Sequence, residues 1–160
     1  MGELAASAVA GDVLVSLGLG SCIGLAVIDR RLGVAGLAHV VLPSSGGHSS
    51  SNPMKFADNA VPELVERVIK LGGRRGLLEA ALVGGASMFV VASSTLEVGQ
   101  RNETAVREQL EALRIPVVAA ETGGDRGRTI RVHVANSRVT VREAGGVESD
   151  LVPGATEVVI

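Results

Sequence analysis

Two apolar runs joined by one short loop constrain this chain more than any other feature. Ser21 to Asp29 and Gly33 to Leu42 are both rich in Val, Ile, Leu and Ala. The segment Asp29-Arg30-Arg31-Leu32-Gly33 joins them and ends on glycine, which predicts an antiparallel hairpin. A third run, Asp12 to Leu19, predicts a strand just before it. Across such a hairpin, Cys22 at the start of the first arm and His39 near the end of the second become neighbours. The loop centre near Arg31 is about equidistant from both. Cross-strand neighbours on one face have Cβ atoms roughly 5 Å apart.

The rest of the chain alternates more loosely. Pro43 to Asn52 is a Ser- and Gly-rich loop that carries His48. Asn52 and Pro53 then predict the start of a helix, in which Ala57, Val61, Leu64, Val65, Val68, Ile69 and Leu71 recur at helical spacing until Gly72-Gly73 stops it. Leu78 to Val83 predicts a buried strand and Gly84-Gly85 a turn. Ala86 to Gly99 is expected to be a loop with a partial strand, and Arg101 to Leu113 a second helix. Ile115 to Ala119 predicts another strand, Thr122 to Asp125 a turn. Thr129 to Val134 and Arg138 to Arg142 form a last hairpin around Ala135-Asn136-Ser137. Residues 143–160 give no signal. Strands outnumber helices and are mostly joined by hairpins, so the expected fold class is α+β with largely antiparallel sheets, in one domain over residues 1–160.

Composition narrows the function. There are two Phe and no Tyr or Trp, so the core must be built from Val, Leu, Ile and Ala, and base stacking on aromatic side chains is not expected. Net charge is −2 and no basic block stands out, which argues against nucleic acid and anionic membranes as partners. No run is long enough to span a bilayer, and the first residues lack the positive start of a signal peptide. A single cysteine excludes a disulfide scaffold and fits the reducing cytoplasm.

The chemistry gathers at Leu17-Gly18-Leu19-Gly20-Ser21-Cys22. Glycines before the thiol permit a tight turn, and the backbone N–H groups of Gly20, Ser21 and Cys22 can face a developing oxyanion. A free thiol is mostly protonated at neutral pH, so it needs a base, and His39 is within predicted reach. A third group must orient the imidazole, for which Ser16 and Thr122 are the hydroxyl candidates. Each residue also has a plain reading: a lone cysteine is often a small buried hydrophobe, and a lone histidine a hydrogen-bonded core residue. The pair raises the catalytic reading above either residue alone. Gly-x-Gly lacks the third glycine and following helix of a nucleotide loop. Cys22, His39 and His48 match no zinc spacing. His133 is read as structural. No metal and no cofactor are expected.

These residues resemble those of a known family, the chemoreceptor glutamine deamidases of bacterial chemotaxis, called CheD. The resemblance covers roughly residues 10–145. It rests on Leu17 to Cys22, on Gly36-Leu37-Ala38-His39-Val40-Val41-Leu42-Pro43, and on Lys55-Phe56-Ala57-Asp58-Asn59-Ala60, where the family usually has Tyr at Phe56. It continues through Gly84-Gly85-Ala86-Ser87-Met88-Phe89, Gly99-Gln100-Arg101-Asn102 and Glu121-Thr122-Gly123-Gly124-Asp125-Arg126-Gly127-Arg128. The resemblance implies a layered α/β/β/α cysteine-hydrolase fold. It implies an enzyme that converts receptor glutamines to glutamate and ammonia through a cysteine thioester. The family nucleophile falls on Cys22 and its histidine on His39. The family threonine six residues before the cysteine falls on Ser16, which keeps the hydroxyl, and this displaces Thr122. The implied partners are the cytoplasmic helices of chemoreceptors and a phosphatase of the chemotaxis response regulator. The alternative is a non-catalytic module that regulates that phosphatase.

Overall fold

The computed structural model describes the backbone of residues 1–87, 94–156 and 158–160. In chain order its strands and helices are β1 (Leu4–Ser7), β2 (Val13–Leu19), β3 (Ile23–Asp29), β4 (Val34–Val40), α1 (Ala57–Lys70), β5 (Glu79–Gly84), α2 (Ser94–Ala112), β6 (Val117–Thr122), β7 (Arg128–His133), β8 (Arg138–Glu143) and β9 (Ser149–Val152). Two sheets form, ordered β1-β4-β3-β5-β6 and β2-β7-β8-β9. All pairs are antiparallel except β5 with β6, which the α2 crossover makes parallel. The fold is α+β.

The hairpin of β3 and β4 forms in the register Ile23↔Val40, Gly24↔His39 and Asp29↔Val34. Its turn therefore centres between Arg31 and Leu32, slightly later than the sequence spacing indicates. His39 stands opposite Gly24, and Cys22 lies one diagonal step away on the same face. The Asp29 carboxylate fixes this turn. It accepts the Arg31 and Leu32 N–H groups at 3.0 and 3.2 Å, and on its other oxygen the Arg74 N–H at 3.0 Å.

β3 is buried along its whole length, so its two faces belong to two cores. Ile23, Leu25 and Val27 face the helices with Ala57, Val61, Leu64 and Leu110. Ala26, Ile28 and Cys22 face the second sheet with Leu19, Ile130, Val132 and Val139. Both helices pack on one face of the five-stranded sheet and the four-stranded sheet packs on the other. These layers supply the helix–sheet–sheet part of the implied arrangement. Gly24 is the closest point between the sheets, since a Cβ there would meet Leu19 Cδ1 at 2.7 Å and Ile130 Cγ2 at 2.9 Å.

Several elements differ from the sequence reading. A 3₁₀ turn at Pro53–Lys55 precedes α1, which starts only at Ala57, and Asn52 makes no side-chain cap. Pro62 lies inside α1. The helix closes as read: Gly72, at φ 108°, and Gly73 donate to the Ile69 and Val68 carbonyls, the paired bonds of a Schellman motif. α2 begins at Ser94, so residues 94–99 are helical and not loop; of the partial strand expected over 86–99, residues 88–93 lie outside the described residues. Gly99 concealed this start, because an interior glycine usually weakens a helix. Here it permits contact, since a Cβ would meet the Gly85 carbonyl oxygen at 2.5 Å. β1 and β9 are too short to carry a periodicity in sequence. Each adds to a sheet edge, β1 on β4 and β9 on β8.

Burial alone would raise the Asp29 carboxyl, but the N–H donors of Arg74, Arg31 and Leu32 outweigh it and hold the group below its ordinary range. Its stabilisation is therefore complete above the unfolded value of about 3.9 and is lost as pH falls through the lower folded value. Asp29→Asn is expected to cost about 1.5–3 kcal/mol at neutral pH, the range for hydrogen bonds to charged groups. In urea melts the gap from wild type should shrink as pH falls below 4, and a pH-independent gap would refute this account.

Candidate active site

The turn between β2 and β3 is held at three successive carbonyls. The Gly20 carbonyl accepts from the Ala86 N–H at 2.8 Å and the Cys22 carbonyl from the Gly85 N–H at 2.9 Å. Between them, the Ser21 carbonyl accepts from Asn102 Nδ2 at 2.9 Å. Gly84 permits this contact. It sits at φ 114°, and a Cβ there would lie 2.1 Å from the Cys22 carbonyl oxygen. The Gly20 N–H is taken by the Gly18 carbonyl at 3.0 Å, so Gly20 serves the turn. Among the described residues the N–H groups of Ser21 and Cys22 meet no acceptor, which leaves them free to bind a developing oxyanion.

His39 enters from β4. Its backbone is fixed on the far side by the residues just before β1, through bonds from the Gly2 N–H to its carbonyl and from its N–H to the Glu3 carbonyl. Its Nδ1 lies 3.0 Å from Ser16 Oγ. Ser16 comes from β2 in the other sheet and is only 7% exposed, so this bond spans the two sheets in a largely dry place. The second ring nitrogen, Nε2, is buried and has no hydrogen-bond partner among the described residues. Ser16, His39 and Leu37 line a groove of about 720 Å³, with Glu3, Val15 and Leu17 at its sides. Leu17 is 65% exposed beside it.

Cys22 is 8% exposed. Burial pushes its thiol up and pushes the His39 imidazole down. Both directions favour the uncharged forms, a protonated thiol and a neutral imidazole.

The other residues singled out in the sequence lie elsewhere. Thr122 Oγ1 donates to Glu103 at 3.0 Å and so ties β6 to α2. His48 is exposed in its loop, and His133 pairs with Val13 and Arg138 across the second sheet. Among the described residues no group of three His, Cys, Asp or Glu side chains is arranged to hold a metal. The start of the 43–52 loop is anchored on α1, with Ser45 Oγ donating to Asp58 at 3.0 Å. The sequence reading named two further residues only within the resemblance motifs and gave them no role. Arg128, 6% exposed, donates to the Gly123 carbonyl at 2.6 Å and pairs with Glu121 and Glu143. Asn102, fully buried, bonds the Cys22 turn as described. Neither is set apart by its spacing.

Residues 41–143 match the family model described as CheD chemotactic sensory transduction. The chain is 44% identical over 137 residues to a probable chemoreceptor glutamine deamidase CheD of Clostridium botulinum, covering 84% of this chain and 85% of that one. It is 40% identical over 131 residues to a protein of the same name from Methanococcus vannielii, covering 82% and 85%. The chain belongs to the CheD family. The segment matched to the family model begins two residues after His39 and so includes none of Ser16, Cys22 and His39. No helix among the described residues is long and apolar enough to cross a membrane.

The burial of Cys22 makes a direct prediction. Alkylation of the native protein by iodoacetamide should show its half-maximal rate at a higher pH than the same protein in denaturant. A native midpoint at or below the denatured one would overturn the neutral-pair description.

Proposed function

We propose that this CheD family member is a single-domain protein-glutamine deamidase acting on chemoreceptors, with Cys22 as nucleophile, His39 as acid and base, and Ser16 orienting the imidazole. The observation that carries the proposal is the inter-sheet bond of Ser16 to His39, which leaves Nε2 unpartnered on the face that Cys22 shares. The names of the relatives supply the substrate class.

The chemistry follows from these atoms. With Nδ1–H donating to Ser16 Oγ, Nε2 presents its lone pair. As the Cys22 sulfur attacks the glutamine side-chain carbon, Nε2 takes the thiol proton, which suits a pair that rests neutral. The oxygen of the tetrahedral intermediate turns to the Ser21 and Cys22 N–H groups. Nε2–H then protonates the leaving nitrogen, ammonia departs, and a thioester remains. His39 draws a proton from water, the hydroxide attacks the thioester, and glutamate leaves as the thiol is restored. The apolar side of the groove, with Val15 and Leu17 exposed, suits a helix surface bearing the glutamine. The proposal extends to the cytoplasm as compartment, supported by the single unpaired thiol. It also extends to a response-regulator phosphatase as second partner, supported by the family resemblance.

The test is mass spectrometry of a chemoreceptor cytoplasmic fragment incubated with the protein. Wild type should add about one dalton at defined glutamines and Cys22→Ala none, since acyl transfer needs the nucleophile. His39→Ala should lose about 10³-fold in kcat, and Ser16→Ala about ten- to a hundredfold. Unmodified glutamines with the wild-type protein would sink the proposal.

Two further measurements probe the same site. Burial holds the imidazole in its base form to lower pH than usual. The acid limb of kcat/KM should accordingly fall below pH 6.5, the ordinary histidine value of about 6.5 being the dividing line. Leu17→Ser should raise KM by about three- to tenfold with kcat unchanged, as expected for lost apolar contact. A change in kcat alone would remove Leu17 from substrate binding.

A further inference from the structure

The Asn102 amide lies at the join of the two elements that bring Cys22 and His39 together. It projects from the middle of α2 and is fully buried. Its Nδ2 donates to two carbonyls at 2.9 Å each: that of Ser21, one residue before the thiol, and that of Val41, two residues after the imidazole. Its Oδ1 is buried without a partner in the structure. An unsatisfied buried acceptor works against stability, so a residue chosen for packing alone would be apolar. Its two donated bonds are what the asparagine adds at this position.

The bond to Ser21 has a consequence for the neighbouring N–H. A trans peptide is planar, and its C=O and N–H point in opposite directions. Holding the Ser21 carbonyl toward α2 therefore aims the Cys22 N–H away from α2. That N–H has no acceptor among the described residues, and it is one of the two groups free to receive an oxyanion. Gly85 and Ala86 fix the flanking Cys22 and Gly20 carbonyls from a different segment. Asn102 alone fixes the peptide between them. Its second bond ties that peptide to the end of the strand carrying His39.

We propose that Asn102 is a positioning residue that sets the direction of the Cys22 N–H as oxyanion donor and holds it in register with His39. This rests on the deamidase reading above. Removing a donor of this kind costs about 10²–10³ in kcat in acyl-transfer sites. Alkylation of a thiol by iodoacetamide passes through no oxyanion and makes no use of the donor.

The experiment compares wild type, Asn102→Ala and Asn102→Ser in three measurements: deamidation of a receptor cytoplasmic fragment, alkylation of Cys22 by iodoacetamide, and thermal melting. The expected result is a kcat lowered about a hundredfold in Asn102→Ala, by the magnitude just cited, with KM within about threefold. Asn102→Ser, which retains a donor, should lie between. The alkylation rate below the melting temperature should stay within about threefold of wild type. A kcat near that of wild type would overturn the inference. So would alkylation that changes in step with kcat, or failure of both variants to fold, since either makes Asn102 a general prop. A wild type that leaves the glutamines unmodified removes the deamidase reading, and this inference with it.

Discussion

The register of the β3–β4 hairpin is the constraint on which the rest of this structure depends. Side chains alternate across a strand, so a slip of one residue would turn His39 toward the helices while Cys22 stayed toward the second sheet. The observed pairing of Gly24 with His39 keeps both on the inter-sheet face. Two things prevent the slip. The fully buried β3 has a different set of partners on each face, and the Asp29 carboxylate captures the turn through three backbone N–H groups. A strand buried on both sides has no solvent face to which a misplaced side chain could move.

The composition then decides how closely the sheets approach. With no Trp or Tyr, the inter-sheet layer is built from Leu19, Ala26, Ile28, Ala35, Ile130 and valines. Leu19 and Ile130 fill the space above Gly24, directly opposite His39. Small residues let β2 come near enough for Ser16, a short side chain, to reach across to the imidazole. A threonine there would bring the same oxygen with one more methyl group. Because the bond forms away from water, it holds the ring orientation more firmly than an exposed serine could.

Legibility in the sequence followed the range of the interaction. The hairpin, the α1 stripe ending at Gly72, β5 and the last hairpin were visible, because each is fixed by periodicity and turn residues within a short window. The closeness of Cys22 to His39 was legible through the hairpin spacing, and Ser16 as their candidate partner through the family resemblance. The diagonal offset of Cys22 from His39 was not, because it depends on where Asp29 captures the turn. Nor was the length of α2, whose Gly99 reads locally as a break and acts tertiarily as a contact with Gly85. Asn102 and Arg128 stood within the resemblance motifs, but their contacts were hidden for the same reason. Their partners lie on elements distant in sequence, and nothing in their own neighbourhood marks them as buried.

The close approach at Gly99 links these features. α2 can reach the Cys22 turn only because its backbone meets Gly85 without a side chain between them. Gly99, Asn102, Val106 and Leu110 are the buried line of the helix, so its packing face and the Asn102 amide are set by the same rotation. Gly84 gives the same proximity from the sheet side, under the Cys22 carbonyl. The thiol therefore sits where a strand end, a helix and a glycine loop meet, the helix holding the Ser21 carbonyl and the Gly85-Ala86 segment the two beside it. Such a site needs no charged pair at rest. Its order resides in fixed peptide dipoles, which the proposed reaction would use when a substrate carbonyl arrives.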